Sequence, residues 1–197
     1  MFAGVLLVAS SCRQAGGEAS PYYPVDSLIR AQAHQLALWQ ATLTKQAQIN
    51  GVDETTTFTP ADSTAWLKEL DIFTTLNAIN KPVFRSYYTV TIEPDKERDL
   101  TVCTYTATTD LPVAWLKLLY QDNRQNIRGI EALYREESSL MKGTRMLVMQ
   151  FQEVNNKISL TSYSLEGGQE IFLGKPVEFT LTGTITVSSW QEASAYR

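Results

Sequence analysis

The sequence predicts an α+β domain: a curved, mostly antiparallel meander sheet of about eight strands, an open or incomplete barrel, with two packing helices. Three observations predict it. Apolar residues recur at helical spacing in two stretches, one before residue 40 and one after residue 60. From Phe84 onward the period changes to two, and successive runs are separated by short turns. Short turns join antiparallel neighbours, because a parallel neighbour needs a long crossover. Several runs have one apolar face and one Thr/Ser/Lys/Glu face, so the sheet meets water on one side. With 44% hydrophobic and 19% charged residues among 197, the chain can bury a core and suits one domain with a tail.

The first helix is expected from Asp26, a good N-cap residue, to about Trp39, with Leu28, Ile29, Leu36 and Trp39 on its apolar side. Arg30, Gln32, Gln35 and Gln40 are interleaved. Leu43 to Phe58 reads as a hairpin around Asn50-Gly51, because both central residues of a type I′ turn need positive φ. Thr55-Thr56-Thr57 favours the return strand through β-branching. Pro60 and Asp62 restart a helix whose apolar face is Trp66, Leu67, Leu70, Phe73 and Leu76, and Asn80-Lys81-Pro82 stops it.

Tyr88, Val90 and Ile92 then alternate with Tyr87, Thr89 and Thr91. Pro94-Asp95-Lys96-Glu97 turns the chain into Leu100–Thr108. Leu116, Leu118 and Tyr120 alternate with Trp115, Lys117 and Leu119, and Asp122-Asn123 turns again. Ile127–Glu137, Arg145–Glu153, Ile158–Leu165 and Val177–Val187 are the remaining strands. Asn155-Asn156, Gly167-Gly168 and Gly174-Lys175-Pro176 mark breaks. Phe179, Leu181, Ile185 and Val187 keep one parity, so the last run belongs to the sheet, with Gly183 at a bulge or bend.

At the other end of the chain, Phe2 to Val8 is apolar and is followed by Ala9-Ser10-Ser11-Cys12. An apolar run followed by small residues is the pattern of a secretory signal, and this one is too short to span a bilayer as a helix. The four residues Ala9 to Cys12 resemble the lipobox of bacterial lipoproteins, although Leu is commoner at the place of Ala9 and no Lys or Arg precedes the apolar run. The alternative reading is a buried N-terminal strand with a free Cys. The resemblance implies cleavage before Cys12, diacylglycerol on its sulfur and acylation, for example with palmitate, of the new amine. It divides the chain into a signal peptide (1–11), a lipidated Cys and flexible tether (12–21), a single domain (22–190) and a C-terminal tail (191–197). Arg13 follows Cys12 and no acid precedes Glu18, so the resemblance implies the outer membrane, facing the periplasm rather than the surface.

The lipobox, the Asn-Gly hairpin, the capped helix ending at Asn80-Lys81-Pro82 and the Thr-rich last strand together resemble small uncharacterised lipoproteins of Gram-negative bacteria. Signal, size and element order also resemble, with no shared motif, the half-barrel periplasmic lipoprotein carriers and their lipid-anchored receptors.

Chemistry-bearing residues are sparse. His34 is the only histidine, so no three-His zinc site can be built, and no Gly-x-Ser-x-Gly elbow accompanies it. Cys103 lies in a β-type run and reads as a small buried hydrophobe. Adjacent acids at Asp53/Glu54 and Glu136/Glu137 point to opposite faces of a strand, so neither pair converges on one substrate. Asp95 to Asp99 reads as a solvated hairpin tip. Arg124, Arg128, Arg135 and Arg145 are interrupted by Glu131, Glu136 and Glu137, which suits cross-strand ion pairs better than a basic strip. A net charge of −4 without a basic face argues against nucleic acid.

The expectation is therefore a membrane-anchored, non-catalytic periplasmic domain with no cofactor and no metal, binding an envelope protein or another cell-envelope component. The alternative is a carrier or sensor of an apolar ligand held between sheet and helices. Trp39, Trp66, Trp115 and Phe73 are the candidate ligand-lining or core residues, with Trp115 placed at a rim just after Pro112.

Overall fold

A computed structural model describes residues 22–138, 141–154, 156–171 and 174–187. The expected signal peptide, Cys12, the expected tether, Trp190 and the expected C-terminal tail lie outside the described residues. Nine strands form one curved, open antiparallel sheet. They are β1 (Thr42–Ile49), β2 (Val52–Phe58), β3 (Tyr88–Asp95), β4 (Leu100–Ala107), β5 (Val113–Tyr120), β6 (Ile127–Glu137), β7 (Met141–Val154), β8 (Lys157–Ile171) and β9 (Val177–Thr186). The spatial order is β2-β1-β9-β8-β7-β6-β5-β4-β3. Seven consecutive strands, β3 to β9, are thus the expected meander. The early hairpin docks on its far side through β1 and β9, with Leu43 opposite Ile185 and Ala47 opposite Leu181. The sheet edges are β2 and β3.

The Asn50-Gly51 turn has positive φ at both residues, 49° and 84°, as the sequence required. Register shifts between Val113 and Trp115, Leu119 and Tyr120, and Gln150 and Phe151 keep the apolar side chains inward across changes of parity. Leu160 and Tyr163, of opposite parity, are both buried for this reason.

Four expectations change. The first helix, α1 (Val25–Leu38), begins before Asp26, which makes no cap. Asp26 sits instead in the first turn and pairs with Arg30 one turn on at 3.0 Å. The second helix is broken into α2 (Ser63–Glu69), α3 (Asp71–Thr74) and a 3₁₀ segment (Thr75–Asn80), and Pro82–Arg85 adds a turn, α4, where a strand was expected to begin. The hydroxyls of Thr74 and Thr75 donate to the carbonyls of Asp71 and Ile72, at 2.6 and 2.5 Å, drawing those acceptors away from a regular helix. Gly167-Gly168 does not break a strand: both lie inside β8, opposite Arg145 and Thr144. A side chain on Gly167 would run into the Thr144 carbonyl, so glycine lets the two backbones meet. Gly183 is at no bulge, because β9 keeps continuous register with both neighbours; it makes room for the Tyr163 ring.

The helices cover one face of the sheet. Asp62 caps α2 by accepting from the Ala65 N–H at 2.8 Å. Val25, Ile29, Ala33 and Leu36 of α1, Trp66 of α2 and Phe73 of α3 pack with Leu43, Leu116, Leu118, Ile130, Leu147, Met149 and Tyr163 of the sheet. Each fully buried aliphatic side chain contributes about 1.5–3 kcal/mol. One polar residue joins this layer for a specific reason. The β8–β9 ladder begins at Ser162, and among the described residues no strand lies on that side of the backbone before it. Gln32 of α1 supplies the missing bonds: its Oε1 accepts from the Leu160 N–H at 2.7 Å and its Nε2 donates to the Ile158 carbonyl at 3.0 Å.

Candidate functional site

The four aromatic candidates separate. Trp66 and Phe73 are fully buried between helices and sheet. Trp39 follows α1 and packs, half-buried, against the same core. Trp115 does not share their face. Its neighbours Val113, Leu116 and Leu118 turn inward, and Trp115 lies half-buried on the opposite surface with the Lys117 ammonium 5.3 Å from its ring centroid. No single pocket unites them.

The inner layer is filled by side chains. Phe73 meets Tyr163 edge to face at 5.6 Å, and Tyr22 packs at a tilt against Tyr105 at 4.8 Å and meets Tyr88 edge to face at 6.4 Å. The Tyr163 hydroxyl and the Trp66 indole N–H are buried without a hydrogen-bond partner. Burial, reinforced by the carboxylate of Glu69, holds the Tyr163 phenol far above its ordinary range. Glu69 is engaged by Lys45 of β1 at 2.7 Å. Burial likewise pushes Tyr23, Tyr88 and Tyr105 up to about 12, with Cys103 a further cause at Tyr105 and Tyr22 at Tyr88. These tyrosines stay neutral and act as packing groups.

Cys103 is fully buried, and its sulfur accepts from the Arg124 guanidinium at 3.5 Å. His34 is exposed on α1. Among the described residues no group of three His, Cys, Asp or Glu side chains is placed to hold a metal ion, and no helix is long and apolar enough to cross a membrane. Three of the four arginines in the interrupted basic run pair with acids. Arg128 meets Glu153 at 3.5 Å, Arg135 meets Asp110 at 3.3 Å and Arg145 meets Glu136 at 3.0 Å. Asp95 accepts from the Glu97 and Arg98 backbone N–H groups at the β3–β4 tip.

The concavity that stands out is one the sequence did not single out. A surface groove of 580 Å³ runs across the ends of β6, β7, β8 and β9 and is closed on one side by Asp110-Leu111-Pro112. Its charged lining is Asp110, Arg135, Glu136, Glu137, Lys142, Glu170 and Glu178, so acids outnumber bases. Lys142 is held by Glu137 at 2.5 Å, and that hydrogen bond is the chief reason its ammonium is stabilised. The walls come from residues far apart in sequence, which is why only the pair Glu136/Glu137 was visible beforehand. A second concavity, of 440 Å³, lies where the 3₁₀ segment meets Pro112 and Tyr134, with Thr74, Thr75, Asn77, Asn80 and Lys81 also in its wall. The seven charged side chains of the first do not suit an acyl chain, which needs a mainly apolar wall.

No known protein family, curated protein or solved structure matches the chain. The functional reading therefore stands on its own residues.

Proposed function

We propose that the chain is a membrane-anchored, non-catalytic periplasmic lipoprotein domain, held to the outer membrane through lipid on Cys12, that binds a protein or another envelope component. The observation that carries the binding role is the acid-rich groove across β6 to β9. It has the breadth for an extended polar partner, and its excess of carboxylates suits a partner with cationic groups. The filled layer between helices and sheet favours this reading over carriage of an apolar ligand.

The test is affinity capture of the lipidated chain from native membranes after mild cross-linking, with both protein and lipid analysed. Glu170 and Glu178 are exposed, so Glu170→Lys with Glu178→Lys reverses the groove's charge without touching the core. A partner recovered with the native chain and lost with this variant supports the reading. Recovery that ignores the reversal, or a stoichiometric apolar lipid in both samples, overturns it.

A further inference from the structure

We propose that the β3 edge of the sheet, together with α4, rests on the bilayer surface and orients the anchored domain. This rests on anchoring through Cys12 as proposed above, and adds which face meets the lipid.

Seven large apolar side chains are exposed among the described residues, and four of them lie together in the chain here. Val83 of α4 is 69% exposed, Tyr87 48%, Val90 43% and Ile92 57%. Two of the others, Ile49 and Val52, flank the hairpin turn at the opposite edge of the sheet, and Leu38 ends α1. Val90 and Ile92 share the face of Tyr88 by strand parity, and they stand opposite Tyr105 and Cys103. Among the described residues no helix spreads over them and no strand lies on the outer side of β3. An exposed apolar edge of this kind invites a covering partner.

The entry point of the chain says which partner. Tyr22, where the described residues begin, packs on Tyr105 and Tyr88, and its hydroxyl donates to the Arg85 carbonyl of α4 at 3.2 Å. The polypeptide thus joins the domain beside the apolar edge. Nine residues separate Cys12 from Tyr22, ten steps along the chain with a reach of at most about 36 Å. Nine strands span roughly 40 Å edge to edge at their usual spacing, so a lipid held by this tether keeps the β3 edge nearest the bilayer. Tyr87 suits the headgroup level, where an aromatic ring finds apolar and polar surroundings together. Charge on this edge is mixed, with Lys81 beside α4 and Glu93 on β3 both exposed. Contact is therefore apolar insertion, independent of anionic lipid.

The experiment uses the full lipidated chain in vesicles of phosphatidylethanolamine and phosphatidylglycerol. A single environment-sensitive thiol label is placed by Val83→Cys, Ile92→Cys or, as the far-edge control on β2, Thr55→Cys; Cys103 is buried away from the reagent. Flotation with the vesicles reports anchoring, and quenching by spin-labelled lipid reports orientation. The expected result is several-fold stronger quenching at positions 83 and 92 than at 55, unchanged when phosphatidylcholine replaces phosphatidylglycerol. Flotation that depends on Cys12 with equal or reversed quenching overturns the orientation alone. Flotation unaffected by Cys12→Ser, or no flotation, overturns the anchoring and this inference with it. Quenching at position 92 that survives Val83→Asp undiminished also counts against a shared contact surface.

Discussion

Replacing Gly183 by alanine tests the packing of the inner layer directly. Gly183 sits on β9 beneath the ring of Tyr163, which is 2% exposed. A methyl group there would lie 2.8 Å from the phenolic oxygen and closer still to two ring carbons, whereas carbon atoms settle at about 3.5–4.0 Å. The ring must therefore retreat by about 1 Å, and Phe73 blocks the way with its centroid 5.6 Å off. Overpacking of this kind costs about 1–3 kcal/mol. Gly183 has a backbone conformation that alanine adopts freely, so the substitution also returns about 0.4–1 kcal/mol through the unfolded chain. The net expectation for Gly183→Ala is a loss of about 1–2 kcal/mol, a fall in Tm of roughly 2–8 °C for a domain of this size. Tyr163→Leu removes the obstructing ring. Urea or thermal unfolding of both single variants and the double variant should then show a favourable coupling of about 1 kcal/mol. A neutral Gly183→Ala, or strict additivity in the cycle, refutes the argument.

Gln32→Leu leaves the Leu160 N–H buried without an acceptor and should cost about 1–3 kcal/mol by urea unfolding; the Ile158 carbonyl keeps a bond from Gln35 at 3.3 Å. The raised phenols of Tyr23, Tyr88 and Tyr105 give a pH dependence with a definite sign. Above pH 10 the unfolded chain loses phenolic protons that the folded chain keeps to about 12, so their contribution is whole below 10 and drains away between 10 and 12. Absorbance titration at the tyrosinate band, native against denatured, should show a group of phenols delayed to that range. Cys12→Ser should move the protein from the membrane to the soluble fraction, since several acyl chains anchor far more firmly than one; membrane retention unchanged by the substitution would count against lipidation. Truncation before Val177 should abolish cooperative unfolding, because it removes the strand between β1 and β8.

What could be read from the sequence was local. Asn50-Gly51 announces its hairpin because few other dipeptides accept positive φ at both positions. Tyr88-Val90-Ile92 and Leu116-Leu118-Tyr120 announce strands because alternation has no helical counterpart. The misreadings were made where a distant partner decides. Gly167 and Gly168 look like a break until the Thr144 backbone is seen against them, and Gly183 looks like a bend until Tyr163 is. Gln32 reads as a solvent-facing residue among Arg30 and Gln35, yet it completes the backbone of β8. The side of the sheet on which Trp115 lies depends on the shift between Val113 and Trp115, which the sequence does not show. The groove was invisible because four strands and the 110–112 loop must assemble before its charges share a wall.

The seam between β1 and β9 has a consequence for how the domain comes into being. Asn50 and Glu178, 128 residues apart, exchange hydrogen bonds across it, the Asn50 N–H to the Glu178 carbonyl and the Glu178 N–H to the Asn50 side chain. A chain emerging from its N-terminus makes the hairpin early and its neighbour last. For that interval the hairpin is a two-stranded ribbon with a bare side, a structure of marginal stability in water. Meanwhile β8 waits with its own edge open, a template for a second chain. Contacts of such long sequence separation also make folding slow, since the loop-closure entropy is spent before they form. Closure of the domain therefore depends on the last strand finding the first.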